Sequence, residues 1–236
     1  MLANEYRQLL AEGAVLTFDK PLGWTSFDVV NKFRLLARHI LGLKKLKAGH
    51  AGTLDPLATG LLIICTGKQT KSIESIQEME KEYTGTFALG QTTPSFDLET
   101  SPDATFPTHH ITAQMISDVV EKLSGIQKQI PPMFSAKKID GQRAYEMARR
   151  GESAELKARE ILISDFEITR FELPEADFRV VCSKGTYIRS LARDFGQELR
   201  SGAYLKNLRR VRTGSFQVEK AWTIEGFQDH LRSLIL

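Results

Sequence analysis

The spacing of apolar residues changes along the chain, and each change predicts an element. Ala14-Val-Leu-Thr-Phe18 is a short apolar run closed by Asp19-Lys-Pro-Leu-Gly23, which reads as a strand and a turn. Thr25-Ser-Phe-Asp28 has the form of a capping box. It precedes Phe27, Val30, Phe33, Leu36 or Ala37 and Ile40 at helical spacing. Leu61 to Cys65 is a continuous apolar run expected to form a buried strand, and Gln69 to about Met79 is expected to be helical. Glu82 to Leu89 alternates and is rich in β-formers, whereas 90–107, with prolines, threonines and serines, reads as a loop excursion. Thr112 is placed to cap a helix through Ile116, Val119, Val120 and Leu123, stopped by Gly125.

Ile130 to Gly141 reads as extended, ending in an Asp-Gly turn, with a short basic helix over Tyr145 to Arg150. Strands follow near Ile161–Phe171 and Phe178–Ser183. Ser183 to Leu199 then passes from a turn into a helix with Ile188, Leu191, Phe195 and Leu199 on one face. Leu208 to Phe216 is expected as a strand, and Thr223 caps a last amphipathic helix. Strands and helices do not alternate as βαβ units, so the pattern predicts a mixed α+β fold, a single domain over residues 1–236.

One stretch stands outside these periodicities: Lys47-Ala-Gly-His50-Ala-Gly-Thr-Leu-Asp55-Pro-Leu-Ala-Thr-Gly60. Gly49, Gly52, Gly60 and Pro56 argue against a continuous helix or a central strand, and for a loop whose backbone can approach a partner closely. Asp55 is the only acidic residue between Asp28 and Glu74, and Lys32, Arg34, Arg38, Lys44, Lys45 and Lys47 precede it. Positive surroundings keep a carboxylate ionised, which suits a nucleophile or an electrostatic partner better than a general acid. The plainer reading is an Asp-Pro turn with the carboxylate capping nearby amides.

Composition narrows the class. Hydrophobic residues at 42% and charged residues at 26% are ordinary for a globular chain of 236 residues. Cys65 and Cys182 lie inside apolar runs, which points to reduced core thiols, a reducing compartment and no metal spacing. The N-terminus lacks the apolar core of a signal peptide and no run approaches a membrane span, so a cytoplasmic location is expected. Net charge is only +3, but Lys184 to Lys220 holds nine Lys or Arg against three Asp or Glu. Together with the basic run after Val29 this predicts a one-sided polyanion surface; solvated helix faces would give the same count.

Lys184 lies just before a predicted helix and Arg189 in its first turn, where cations oppose the helix dipole. An anion between them would resolve the conflict, either a phosphate or the Asp55 carboxylate.

Gly49-His-Ala-Gly-Thr-Leu-Asp-Pro-Leu-Ala-Thr-Gly60 together with Lys184-Gly-Thr-Tyr-Ile-Arg189 resembles the tRNA pseudouridine synthase B family. Asp19-Lys-Pro-Leu-Gly23, Lys81-Glu-Tyr83, Pro132-Met-Phe-Ser-Ala-Lys137 and Leu208-Arg-Arg210 support it in the family's order over essentially the whole chain. The resemblance implies the pseudouridine synthase fold, a mostly antiparallel mixed sheet flanked by helices and loops. It also implies isomerisation of uridine to pseudouridine at tRNA position 55, in the TΨC loop.

By position, Asp55 matches the catalytic aspartate, His50 a histidine that contacts RNA, and Tyr83 the tyrosine stacked on the target base and proposed to handle a proton. Tyr187 and Leu208 match residues lining the uracil pocket, and Arg189 the arginine that pairs with the aspartate. Lys20, Lys184 and Arg209 are expected to meet the RNA backbone. No cofactor or metal is implied; the partner is tRNA, and a monomer needing no protein partner or membrane is expected. Gly90-Gln-Thr-Thr-Pro-Ser-Phe-Asp97 keeps only part of the family's Thr-Asp-Thr-x-x-Asp pattern. The chain is also expected to lack the small C-terminal RNA-binding (PUA-like) domain of many bacterial members. Two other classes remain: a glycosidase or nucleosidase, which would need Asp97 or Asp194 as a second carboxylate, and a non-catalytic RNA-binding protein.

Overall fold

The computed structural model describes residues 3–135, 138–139, 142–152 and 156–235. In chain order these form α1 (Ala3–Glu12), β1 (Val15–Lys20), α2 (Ser26–Leu41), β2 (Ala48–His50), β3 (Ala58–Thr66), α3 (Ile73–Glu78), β4 (Lys81–Leu89), β5 (Gln91–Thr92) and β6 (Ala104–Thr105). The chain continues through α4 (Ala113–Leu123), β7 (Gly125–Gln129), β8 (Lys138–Ile139), β9 (Gln142–Arg143), α5 (Ala144–Arg149), β10 (Arg159–Glu172), β11 (Glu175–Cys182) and α6 (Ile188–Glu198). It closes with β12 (Ala203–Thr213), β13 (Phe216–Gln217) and α7 (Ile224–Ser233). The expected Asp140-Gly141 turn and the Ala136-Lys137 pair lie outside the described residues. The chain divides into two compact units, one of 1–82 with 209–236 and the other of 83–208.

In the first unit β3 pairs antiparallel with β1, from Val15–Cys65 to Lys20–Gly60, and with β2. Leu62 and Ile64 pack with Phe18, Val30, Phe33 and Phe227, while Leu61, Ile63 and Cys65 pack with Ile76 and Val218. Burial on both faces explains why β3 reads as a continuous apolar run. Thr25 caps α2 in a full capping box, and Gly42 ends that helix in the left-handed region at φ 68°. Thr223 Oγ1 accepts from Gly226 N–H to start α7.

In the second unit β10 pairs antiparallel with β11 and β7. Its core stacks Phe87 on Phe178 with centroids 4.1 Å apart, and Phe195 lies 5.2 Å from Phe87. Thr112 Oγ1 accepts from Met115 N–H as the sequence predicts, but α4 ends at Leu123 and Gly125 opens β7. Three further expectations are corrected. Residues 67–72 form a 3₁₀ turn ahead of the short α3, where one helix was expected. β12 starts at Ala203, well before Leu208. The glycine-rich stretch is loop only over 51–57, because Gly49 lies in β2 and Gly60 in β3. Gly60 fits a strand at φ +102° because the Arg210 backbone lies where a Cβ would point, its carbonyl oxygen 2.3 Å from that position.

Candidate active site

Asp55 lies half-buried in the loop between β2 and β3, and the loop is fixed through its backbone. Ser26, the first residue of α2, accepts from Leu54 N–H at 2.8 Å and donates to the Leu54 carbonyl at 3.1 Å. Lys20, fully buried, donates to the carbonyls of Trp24 (2.6 Å), Pro21 (3.0 Å) and Pro56 (3.4 Å). The Pro56 carbonyl also accepts from Gly23 N–H at 2.9 Å, and Ala58 N–H closes the turn on the Asp55 carbonyl at 3.0 Å. Arg210, also buried, donates from Nε to the Leu61 carbonyl at 2.8 Å and from Nη2 to the Gly52 carbonyl at 3.0 Å. Gly52 sits at φ +105°, so a non-glycine residue there would strain the turn under Arg210. The carbonyls of Gly52, Leu54 and Pro56 are thus all held by groups from other elements, setting where the Asp55 side chain leaves the backbone.

Charge shapes this loop. Burial pushes the Lys20 ammonium down from the ordinary lysine value to about 8; the Asp55 carboxylate pulls it back up and the Arg210 charge lowers it further. His50, on β2, is lowered below the ordinary imidazole value by burial and then by Arg210, so it is neutral at pH 7. Its Nδ1 is buried without a hydrogen-bond partner among the described residues.

The second unit holds the other set. Tyr83 is buried on β4, while Tyr187 and Leu208 are half-buried, on the turn before α6 and on β12. The Tyr187 N–H donates to Gln129 Oε1 at 2.8 Å, and Ser190 Oγ donates to the Ile130 carbonyl at 2.8 Å, which tie the start of α6 to the end of β7. Arg189 is buried on the first turn of α6. Its Nη1 lies 3.6 Å from Asp97 Oδ2 and 3.5 Å from the Ser95 carbonyl. The anion that the helix-terminus argument calls for therefore includes Asp97, the one acidic residue kept from the family pattern in 90–97. Asp97 Oδ1 accepts from Glu99 N–H at 2.9 Å. Among the described residues no group of three or more His, Cys, Asp or Glu is placed to hold a metal ion.

The expected RNA-backbone cations divide. Lys184 is exposed, whereas Arg209 gives both guanidinium ends to Asp19, at 3.0 and 2.7 Å. Lys20 is corrected: a fully buried ammonium donating to three carbonyls is a brace for the loop, not a phosphate contact. The count of cations in 184–220 likewise overstated a polyanion surface. Arg189, Arg193, Lys206, Arg209 and Arg212 all face carboxylates, and Arg210 is spent on carbonyls. A basic hollow lies at the start of the glycine-rich stretch, and two of its three lysines belong to no motif. Lys47, Lys68 and Lys71 line a cavity of about 470 Å³ with Gly67, Thr70 and Glu12. Arg210, on β12, is the residue holding the Asp55 loop that sequence reasoning missed. Its only signal is the neighbouring arginine pair, which says nothing about which side chain turns inward.

Residues 38–188 match the family model of the TruB family pseudouridylate synthase N-terminal domain, and 189–234 that of the tRNA pseudouridylate synthase B C-terminal domain. A tRNA pseudouridine synthase B of Phocaeicola vulgatus is 56% identical over 220 residues, covering 93% of this chain and 94% of that protein. One from Flavobacterium johnsoniae is 58% identical, covering 94% of this chain and 97% of that protein. Among solved structures, an H/ACA RNP bound to a substrate RNA containing 2′-deoxyuridine matches at a TM-score of 0.67 and 27% identity, over 96% of this chain. A Cbf5-Nop10-Gar1 complex matches at 0.71 and 27%, over 97% of this chain. This chain spans only 55% and 56% of those two chains. The fold is therefore the pseudouridine synthase fold, and the chain belongs to the TruB family of pseudouridylate synthases.

Proposed function

We propose that the protein isomerises the uridine at position 55, in the TΨC loop of tRNA, with Asp55 as the catalytic carboxylate. The observation that carries this reading is the loop itself. Its backbone is held at Gly52, Leu54 and Pro56 by buried groups, while the residue among them that bears a carboxylate is half-buried. Such fixation suits a side chain that must meet a substrate in one geometry. Relatives named tRNA pseudouridine synthase B, matched over nearly their full length, support tRNA as the substrate.

The reaction breaks the N1–C1′ glycosidic bond, turns the uracil and forms a C5–C1′ bond, with the C5 proton lost and N1 protonated. Atoms and electrons balance without a redox partner. Asp55 serves by attack on the ribose or the base, or by stabilising positive charge on the sugar. The target base must leave its stack and be held against aromatic or apolar surface. Tyr83, Tyr187 and Leu208 are assigned that role, with neutral His50 meeting the displaced RNA. Arg189 is assigned to Asp55 as its cationic partner. Lys184 and the lysines of the basic hollow are assigned to phosphates, and the enzyme acts as a cytoplasmic monomer.

The test is tritium release from tRNA carrying 5-tritiated uridine, because closure of the C5 bond must expel that hydrogen. Release of one equivalent from ordinary tRNA, and none when position 55 is cytidine, is the expected result. Equal release from both tRNAs would move the target elsewhere.

A further inference from the structure

Among the described residues only Phe96 and Arg200 leave the ordinary backbone regions without being glycine, Phe96 at φ +62°. An aromatic residue rarely adopts this conformation, and it persists only where its surroundings over-determine it. Its consequence lies on either side. The Ser95 carbonyl and the Asp97 carboxylate both come to Arg189 Nη1, at 3.5 and 3.6 Å.

Backbone contacts hold part of the turn: Phe96 N–H donates to the Thr93 carbonyl at 3.1 Å, and Leu205 N–H to the Phe96 carbonyl at 2.9 Å. The remaining hold comes from α6. One helical turn beyond Arg189, the Arg193 guanidinium lies over the Phe96 ring, 5.1 Å from its centroid. Arg193 is aimed in turn by Asp194, whose Oδ1 accepts from Nε at 2.8 Å and lies 2.7 Å from Nη2. Two arginines one turn apart on α6 therefore engage three successive residues, Ser95, Phe96 and Asp97.

We infer that Phe96 and Arg193 are a positioning pair for Arg189: the guanidinium seated on the ring holds the left-handed turn that presents the Ser95 carbonyl and the Asp97 carboxylate. The inference rests on the reading of Arg189 as a partner of the catalytic carboxylate. Neither member of the pair is assigned to the substrate. Its loss is expressed in the rate of the chemical step rather than in tRNA affinity.

The experiment measures single-turnover tritium release and tRNA Kd for Phe96→Leu, Arg193→Gln, their double variant, Phe96→Tyr and Phe96→Gly. Phe96→Leu and Arg193→Gln should each slow release about tenfold, with Kd within about twofold of wild type. The double variant should be no slower than the slower single variant, as for two halves of one contact. Phe96→Tyr, which keeps the ring, should stay within about twofold of wild type. Phe96→Gly is free of strain at φ +62° but lacks the ring, so it guards against misfolding and should be as slow as Phe96→Leu. Wild-type rates for Phe96→Gly and Arg193→Gln, or losses confined to Kd, would overturn the pair. Asp55→Asn and Arg189→Gln run alongside. If they too release tritium at the wild-type rate, the active-site reading falls with it; if they are inactive, only the positioning pair falls.

Discussion

Asp55 and Arg189 are placed by different means. Around Asp55 the first unit grips backbone, with a serine hydroxyl, a lysine ammonium and an arginine guanidinium each taking a carbonyl of the loop. Around Arg189 the second unit grips the side chain itself, with a carboxylate, a carbonyl and, one turn along the helix, an aromatic ring under Arg193. Backbone grips are built into strand pairing and helix starts, so disturbing them disturbs the fold. Side-chain grips hang on a loop, so they can be altered while the sheet stays intact. The two residues should therefore fail differently: the setting of Asp55 by unfolding, that of Arg189 by slowing.

The harshest way to test this is Gly60→Ala. A Cβ there would lie 2.3 Å from the Arg210 carbonyl oxygen and 2.8 Å from its amide nitrogen, on a residue at φ +102°. Backbone cannot yield as a side-chain tip can, so a loss of at least about 4 kcal/mol is expected, enough to unfold a marginal domain. Thermal melting checks it. A folded Gly60→Ala protein beside unfolded Phe96 and Arg193 variants would reverse the comparison.

A smaller effect follows from Lys20. Its folded-state value of about 8 lies below the ordinary 10.5, so between those limits the unfolded chain holds a proton that the native chain has shed. Stability contributed by this group therefore rises with pH from about 8 to 10.5, the reverse of a lysine gaining a salt bridge. Urea unfolding of wild type and Lys20→Met should give a difference in favour of wild type that grows from pH 7.5 to 9.5. A difference that stays flat or shrinks contradicts the buried-brace reading of Lys20.

Much of this was legible in the sequence where the signal is local. Thr25, Thr112 and Thr223 announce helix starts because capping depends on residues three apart. β3 is legible because a strand buried on both faces must be apolar at every position. Asp55 stands out by its glycines and its isolation among cations, and Arg189 by its position in a first helical turn.

What stayed hidden depends on partners distant in sequence. α1 buries only Tyr6 and Leu10, too few apolar positions to show a period. Gly60 reads as a loop residue until the Arg210 strand beside it explains the missing side chain. Lys20 and Arg210 count as surface charge in any composition, yet both are buried, because a cation can be satisfied by carbonyls that sequence does not place. The sequence offers Asp97 as a remnant of a family pattern and as a possible second carboxylate, but not as a partner of Arg189, because that pairing joins residues 92 positions apart.

The central claim is that the Asp55 carboxylate drives the isomerisation. Asp55→Asn keeps the shape of the side chain and removes its charge, so the fold and the tRNA Kd should be preserved. If the carboxylate drives the reaction, this variant should bind tRNA within about twofold of wild type and release tritium at least about 10³-fold more slowly. Release near the wild-type rate, at unchanged affinity, would contradict it.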